Sequence, residues 1–149
     1  MFEAKVKRIL VPVQGASTDH DSVRVACLQT KRERAEILLL YVIEVRRTLP
    51  IDADLGPELA LGEGVLEELQ HMAQPLGCRV QTGLIQAREA GPAIVGEAVE
   101  HQAELIVMGV PYKEKFGAFL VEPRALYVLQ HAPCRVVLVR EPLKQSVAR

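Results

Sequence analysis

The fold of this chain is indicated most clearly by an uncharged run of six residues, Leu105-Ile106-Val107-Met108-Gly109-Val110. An apolar run without polar alternation is typical of a parallel strand that helices cover on both faces. The segment from Ile37 to Ile43 has the same character. Segments with helical spacing lie on both sides of these runs, and this alternation predicts an α/β fold.

Three further apolar runs bring the number of predicted strands to five: Ile9-Leu10-Val11-Pro12-Val13, Val80 to Ile85, and Val136 to Val139. The run Val80 to Ile85 alternates with polar residues, so we place it toward an edge of the sheet. Helical spacing predicts helices over residues 19–34, 55–75, 92–102 and 123–131. The third of these begins with Gly91-Pro92, which suggests proline at the first helical position.

The strand–helix alternation predicts a Rossmann-like, five-stranded parallel sheet of order 3-2-1-4-5 with helices on both faces. We expect residues 1–149 to form one domain, with a core from about 5 to 140 and a tail over 141–149. Two predicted loops are long, residues 44–54 and 111–122, and long loops are often functional.

Composition excludes several classes of partner. The 149 residues carry a net charge of −1, 4% aromatic residues and no Trp, so we expect no nucleic-acid partner. No apolar run approaches the roughly 20 residues that span a bilayer, and we expect no membrane partner and a cytoplasmic location. The three cysteines (Cys27, Cys78, Cys134) are widely spaced and odd in number, so we expect unpaired thiols in a reducing compartment. The four histidines show no spacing of metal ligands, so we expect no metal.

In an open parallel sheet, ligands bind at the carboxyl ends of the strands where the strand order reverses. In the predicted order this point lies between the first and fourth strands. The residues expected there are Val13-Gln14-Gly15-Ala16 and Gly109-Val110-Pro111. Any ligand site should therefore lie between these two loops.

Three blocks of sequence resemble the universal stress protein family: Ile9 to Val13 followed by a glycine, Leu105 to Gly109, and Val128-Leu129-Gln130-His131-Ala132-Pro133-Cys134 leading into Val136 to Arg140. The resemblance runs from about residue 5 to 140. It implies a nucleotide-binding fold, and nucleotide-binding members carry a Gly-x2-Gly-x9-Gly-Ser/Thr loop after the fourth strand. Such a loop brings backbone N–H groups and a helix N-terminus to the phosphates.

This chain keeps the spacing of that loop but not its residues. Gly109 matches the first glycine, Tyr112 stands at the second, Glu122 at the third, and Pro123 at the Ser/Thr. Tyr112 adds bulk, Glu122 adds negative charge, and Pro123 offers neither an N–H nor a hydroxyl. We therefore expect that a triphosphate is not bound.

Two further positions depart from what the resemblance implies. Gln14 stands where an acidic residue helps to hold the nucleoside, and Ala16 stands where Ser is usual. We hypothesise that Glu122 acts as a built-in anion that replaces the phosphate at a helix N-terminus, the alternative being unrelated drift. Lys113, Lys115 and Arg124 flank the loop and could attract an anion, or could simply form a solvated surface.

The sequence thus predicts a non-enzymatic stress-type protein without cofactor, which acts as a homodimer through protein contacts. The alternative is an adenine-nucleotide-binding member with an atypical phosphate loop. No catalytic residue is predicted. The candidate cleft residues are Pro12, Val13, Gln14, Gly15, Tyr41, Val42, Met108, Gly109, Val110, Tyr112, Glu122 and Pro123. The last strand lacks proline and is expected at an edge, where the resemblance implies dimerisation through Val136, Val137, Leu138 and Val139.

Overall fold

Five parallel strands form the central sheet of the computed structural model, which describes residues 6–30 and 34–143. The strands of the described residues are β1 (Arg8–Val13), β2 (Glu36–Glu44), β3 (Arg79–Ala87), β4 (Leu105–Val110), β5 (Glu114–Lys115), β6 (Ala118–Phe119) and β7 (Arg135–Arg140). The parallel sheet has the order β3-β2-β1-β4-β7, and β5 and β6 form a separate antiparallel hairpin. The predicted order is confirmed, because β7 is the fifth strand of the sequence prediction and the alternating strand β3 lies at an edge.

Two helices cover each face of the sheet. The helices are α1 (Thr18–Thr30), α2 (Gly56–Ala73), α3 (Ala90–Glu100) and α4 (Pro123–His131), with a short 3-10 turn over Gln74–Leu76. One core contains Val23 of α1 and Leu66 of α2, and the other contains Ile94 of α3 and Val128 of α4. The sheet is therefore the middle layer of three.

The central strands contribute side chains to both cores, as their uncharged sequences predict. In β4, Leu105 and Val107 belong to the core under α1 and α2, whereas Ile106 and Met108 belong to the core under α3 and α4. All four side chains are almost fully buried. Burial of this kind on both faces is the reason that a parallel strand shows no polar alternation.

The helix boundaries differ modestly from the prediction. Helix α1 begins at Thr18, and residues 31–33 of the predicted helix 19–34 lie outside the described residues, as do residues 144–149 of the predicted tail. Helix α3 begins at Ala90, so Pro92 occupies the third helical position and not the first. Proline is tolerated there because the first four N–H groups of a helix have no partner within the helix. The hairpin of β5 and β6 lies inside the segment predicted as a loop, 111–122.

The expectation of unpaired cysteines is wrong for two of the three, because the structure joins Cys27 and Cys78 in a disulfide. The fold brings α1 and the start of β3 together, so that the two Cα atoms are 5.7 Å apart although 51 residues separate them in sequence. Cysteine spacing does not reveal such a tertiary approach. Cys134 is free, and burial raises the pKa of its thiol.

Candidate functional site

The strands β1 and β4 separate before they reach their carboxyl ends. They pair through Ile9 with Leu105 and through Leu10 with Ile106, whereas β4 and β7 remain paired as far as Val110 and Arg140. The loops that follow β1 and β4 therefore leave the sheet on the two sides of a crevice. This is the point of strand reversal at which open α/β sheets bind ligands.

A carboxylate of the chain itself occupies the loop after β1. Asp19 Oδ2 accepts hydrogen bonds from the backbone N–H groups of Gly15 at 2.8 Å and Ala16 at 3.1 Å, and the N–H of Gln14 lies 3.3 Å from both carboxylate oxygens. Gly15 allows this tight turn because its φ is +80°. Three convergent N–H groups form an anion-binding concavity, and here Asp19 fills it.

The electrostatic environment of Asp19 combines opposing effects. Asp19 is only 4% exposed, and this burial raises the pKa of its carboxyl group above the ordinary value. The three backbone N–H groups and the nearby His20 act in the opposite direction without cancelling the effect of burial. The N–H groups stabilise the charged form and desolvation opposes it.

A second carboxylate stands at the N-terminus of α4. Glu122 is the residue immediately before this helix, and Pro123 is its first residue. Glu122 Oε2 accepts a hydrogen bond of 3.4 Å from the side-chain amide of Gln14, and Glu122 Oε1 lies 4.0 Å from the ammonium group of Lys113. The Glu122 side chain is 15% exposed. The structure thus brings Gln14 and Glu122, two of the predicted cleft residues, into direct contact across the crevice.

Tyr112 points away from this contact and toward the end of β7. Its N–H donates to Glu141 Oε2 at 2.7 Å, and its hydroxyl donates to Glu114 Oε2 at 2.9 Å. Its ring stacks on Phe119 with centroids 5.4 Å apart, and the guanidinium of Arg140 lies 5.4 Å from the ring centroid. The hydrogen bond to the Glu114 carboxylate raises the pKa of the Tyr112 hydroxyl. The contacts of Tyr112 therefore belong to the hairpin and the end of β7.

Gly109, which matches the first glycine of the phosphate loop, has a packing role in this chain. A Cβ atom at this position would lie 2.6 Å from the carbonyl oxygen of Thr18 and 2.7 Å from its Cβ. Helix α1 can therefore approach β4 only if residue 109 is glycine. The hydroxyl of Thr18 is buried and has no hydrogen-bond partner among the described residues.

The remaining predicted cleft residues are mostly buried in the two cores and do not form one surface. Val13 and Tyr41 belong to the layer under α1 and α2, and Val42, Met108 and Val110 belong to the layer under α3 and α4. Pro12 is also buried. The Tyr41 ring packs against Gly62 of α2, where an added Cβ would lie 2.8 Å from Tyr41 Cδ1. A Cβ atom added at Gly15 would likewise lie 3.3 Å from Cγ2 of Val65 in α2.

Sequence reasoning missed Asp19 and Glu141, two of the carboxylates that accept backbone N–H groups at the carboxyl ends of the strands. Glu44, at the end of β2, is another and accepts the N–H of Ala90 at 2.9 Å. Asp19 could have been found, because it lies three to five residues after a glycine-containing loop and short acidic side chains commonly bond to nearby backbone. Glu141 gives no comparable signal, since its partner Tyr112 lies 29 residues earlier. Its role follows from the pairing of β4 with β7.

The long loop between β2 and α2 is held at the end of β3. The Nη1 atom of Arg88 donates to the carbonyl oxygens of Arg46 at 2.6 Å and Leu49 at 2.8 Å. The side-chain amide of Gln86 donates to the carbonyl oxygens of Ile51 at 2.9 Å and Ala53 at 3.2 Å. The loop is therefore fixed beside the edge strand by carbonyl contacts along most of its length.

Among residues 6–30 and 34–143, no group of three or more His, Cys, Asp and Glu side chains is placed to hold a metal ion. In the same ranges, no helix is long and apolar enough to cross a membrane. A cavity of about 80 Å³ lies at the amino ends of β1 and β2, lined by residues that include Arg8, Glu36 and His101. This cavity is at the end of the sheet opposite to the crevice, which lies at the carboxyl ends of the strands.

Comparison with known proteins adds a family to this geometry. Residues 5–140 match the model of the universal stress protein family. The chain is 28% identical over 145 residues to a universal stress protein of Methanocaldococcus jannaschii, covering 93% of this chain and 85% of that protein.

Solved structures share the fold. A universal stress protein of Archaeoglobus fulgidus matches with a TM-score of 0.76 and 18% identity, over 89% of this chain and 98% of that one. A universal stress protein of Lactobacillus plantarum matches with a TM-score of 0.73 and 24% identity, over 93% of this chain and 100% of that one. Other matched structures hold dAMP, cAMP or AMP, at 15–16% identity and TM-scores of 0.69–0.72.

Proposed function

Because the chain belongs to the universal stress protein family, we propose that it is a non-enzymatic member that acts as a homodimer through protein contacts and does not bind ATP. The observation that carries this proposal is the position of Glu122, whose carboxylate stands before α4 and contacts Gln14 and Lys113. This carboxylate supplies the negative charge that a helix N-terminus favours. The proposal assigns no catalytic residue and no cofactor.

The charge of Glu122 opposes a phosphate at the same place. Two like charges 4 Å apart repel each other by about 4 kcal/mol at an effective dielectric constant of 20. A triphosphate at α4 would also lose the hydroxyl of the usual Ser/Thr, because Pro123 provides none. Displacing Glu122 would in turn remove the partner of the Gln14 amide.

The loop after β1 supports the same proposal independently. Its three N–H groups already bond to Asp19, so they are not free to bond to an oxygen atom of a ligand. The N–H of Tyr112 is likewise bonded to Glu141. Backbone donors on both sides of the crevice thus have carboxylate partners from the chain itself.

The proposed dimer uses the side of β7 that faces away from β4. This strand pairs with β4 on one side and is the last strand of the sheet order. Its central residues, Val136, Val137, Leu138 and Val139, are half-buried against the two cores and contain no charge. An apolar sheet edge without proline favours pairing with a second strand. Light scattering at micromolar concentration should therefore give the mass of a dimer, and the mass of a monomer would contradict this part of the proposal.

A second candidate function is the binding of a nucleotide with fewer phosphates. The matched structures with dAMP, cAMP and AMP make this the alternative. A monophosphate needs fewer loop contacts than a triphosphate, and Lys113 could serve as its counterion once released from Glu122. This alternative predicts that Glu122 moves when the nucleotide binds.

Native mass spectrometry of the full chain, titrated with ATP, AMP and cyclic AMP, distinguishes the two functions. The proposal predicts a bare dimer that takes up none of the three nucleotides at submillimolar concentration. Uptake of AMP or cyclic AMP without ATP would favour the alternative. Uptake of ATP would contradict the proposal, because it would mean that Glu122 and Pro123 do not close the phosphate site. The proposed cytoplasmic location is tested separately, by fractionation of cells.

A further inference from the structure

A pocket of about 340 Å³ lies next to the disulfide, far from the crevice. It is lined by Thr30, Arg34, Ala35, Leu76, Gly77 and Arg79. Cys78 lies between two of these residues, Gly77 and Arg79. Cys27 lies one helical turn before Thr30, whose hydroxyl donates to the Cys27 carbonyl at 2.7 Å. The pocket therefore borders the backbone on both sides of the disulfide.

The described residues that line this pocket carry a net positive charge. Two of its lining residues, Arg34 and Arg79, are exposed arginines, and none of the six is acidic. Glu36 pairs with Arg79 in the sheet but does not line the pocket. A pocket with two guanidinium groups attracts small anions and favours bidentate contacts with carboxylates.

The two sulfur atoms differ in access. Cys27 belongs to the core and its residue is 2% exposed, whereas Cys78 is partly exposed at the start of β3. A thiolate arriving from solvent therefore reaches Cys78 first. Exchange rates depend on which sulfur is accessible as well as on the attacking thiol.

We propose that Cys27–Cys78 is a reversible thiol–disulfide site, and that the pocket of Arg34 and Arg79 binds the low-molecular-weight, carboxylate-bearing thiol that opens it, of the glutathione class. The thiolate attacks Sγ of Cys78 and forms a mixed disulfide. The Cys27–Cys78 bond breaks, and Cys27 leaves as a thiolate that takes a proton from water. A second thiol attacks the mixed disulfide at the sulfur of the small thiol. This step releases the oxidised small disulfide and leaves both protein cysteines reduced. Oxidised glutathione reverses the sequence.

The arginines have two roles in this exchange. They raise the local concentration of a thiol that carries carboxylates, and they stabilise the thiolate over the thiol. The first role does not apply to a thiol that carries a positive charge, because the guanidinium groups repel its ammonium group. A rate of reduction that depends on the charge of the reductant therefore distinguishes this disulfide from an ordinary solvent-exposed one.

The test measures the rate of reduction of the oxidised full chain by glutathione and by cysteamine, at equal thiolate concentration. Samples are alkylated and the cysteines are mapped by mass spectrometry. At low salt we expect glutathione to be faster than cysteamine by about ten-fold or more. The rate should rise in proportion to the thiol concentration. The ratio should fall toward one in high salt, which tests the charge without any substitution.

Variants test the residues. The double variant Arg34→Ala and Arg79→Ala should remove the preference for glutathione, whereas Arg47→Ala, at an 81% exposed arginine outside the pocket, should keep it. In the variant Cys27→Ser, oxidised glutathione should modify Cys78.

Three results would overturn the proposal. The first is that all three cysteines alkylate in the purified chain and oxidised glutathione forms no Cys27–Cys78 bond. The second is equal rates for the two thiols. The third is a rate independent of thiol concentration, which would mean that the disulfide opens only when the protein unfolds.

Discussion

The side-chain amide of Gln14 donates a 3.4 Å hydrogen bond to Glu122, which joins the loop after β1 to the start of α4 across 108 residues of sequence. Each residue stands where the family resemblance implies a contact with a nucleotide. In this chain the two residues contact each other. The contact links the two loops that a ligand in the crevice would have to separate.

If Glu122 replaces a phosphate, restoring the family loop should restore nucleotide binding. We expect the triple variant Tyr112→Gly, Glu122→Gly and Pro123→Ser to bind ATP at least about ten-fold more tightly than the wild type, a difference of ~1.4 kcal/mol. This gain is smaller than the like-charge repulsion that the substitution removes. Isothermal titration calorimetry measures the affinity directly.

The matched control for this variant is Glu114→Gln, which removes a carboxylate from the same loop. The partner of Glu114 is the Tyr112 hydroxyl and not Gln14, so we expect no gain of affinity. A triple variant that folds but binds no nucleotide would rule out the role of Glu122 as a built-in anion.

The order of the strands and the covering of the sheet could be predicted from sequence because they depend on patterns that are local. The uncharged run of β4 predicts burial on both faces, and the alternating run of β3 predicts a position at the edge of the sheet. The hairpin of β5 and β6 was missed because each strand has only two residues. A period of two residues cannot be recognised over so short a length.

The site was only partly predictable, since its contacts depend on the tertiary approach of distant segments. Gly109 fits the spacing of a phosphate loop, yet the packing of Thr18 alone is sufficient to require glycine there. The disulfide shows the same limit, because Cys27 of α1 and Cys78, the residue before β3, meet only in the tertiary fold. A motif thus gives the position of a residue but not the reason for it.

The packing role of Gly109 leads to a second prediction. The variant Gly109→Ala should lower the free energy of unfolding by about 1–3 kcal/mol, because the added methyl group collides with the Thr18 backbone and overpacks the junction of α1 with β4. The control is Gly96→Ala in α3, where an added Cβ meets nothing within 4 Å. This control should gain about 0.5–1 kcal/mol from helix propensity. Chemical denaturation of both variants and the wild type measures these differences. If Gly109→Ala is as stable as the wild type, then Thr18 shifts to make room for the methyl group without a cost in stability.

The buried Asp19 predicts a defined dependence of stability on pH. Burial raises the pKa of its carboxyl group in the folded state, so the unfolded chain releases this proton at lower pH than the folded chain does. Between about pH 4, where an unfolded Asp titrates, and the raised folded value, the folded state binds more protons. The contribution of Asp19 to stability therefore falls as pH rises through this window.

Denaturation of wild type and Asp19→Asn across this window isolates the effect, because the Asn variant lacks the titrating group. We expect the stability of the wild type to fall relative to the variant as pH increases. Asp21→Asn is the control, because Asp21 is partly exposed on the same helix and its side chain is 41% accessible. A carboxyl resonance of Asp19 that titrates at or below the ordinary value in NMR would contradict the prediction.

The last prediction concerns Arg88, whose guanidinium holds the loop between β2 and α2 through the carbonyl oxygens of Arg46 and Leu49. The variant Arg88→Ala should lower the free energy of unfolding by about 1.5–3 kcal/mol, the usual cost of lost hydrogen bonds to a charged group. Amide hydrogen exchange over residues 45–55 should become faster, while exchange in β1 and β4 stays slow. Arg88→Lys should restore little, because one ammonium group lacks the planar fork that serves several carbonyls at once. Arg47→Ala is the control, since this arginine of the same loop is exposed and lies 3.9 Å from Glu89. If exchange in the loop is the same in wild type and Arg88→Ala, then Gln86 and the loop's own turns are sufficient to hold it beside β3.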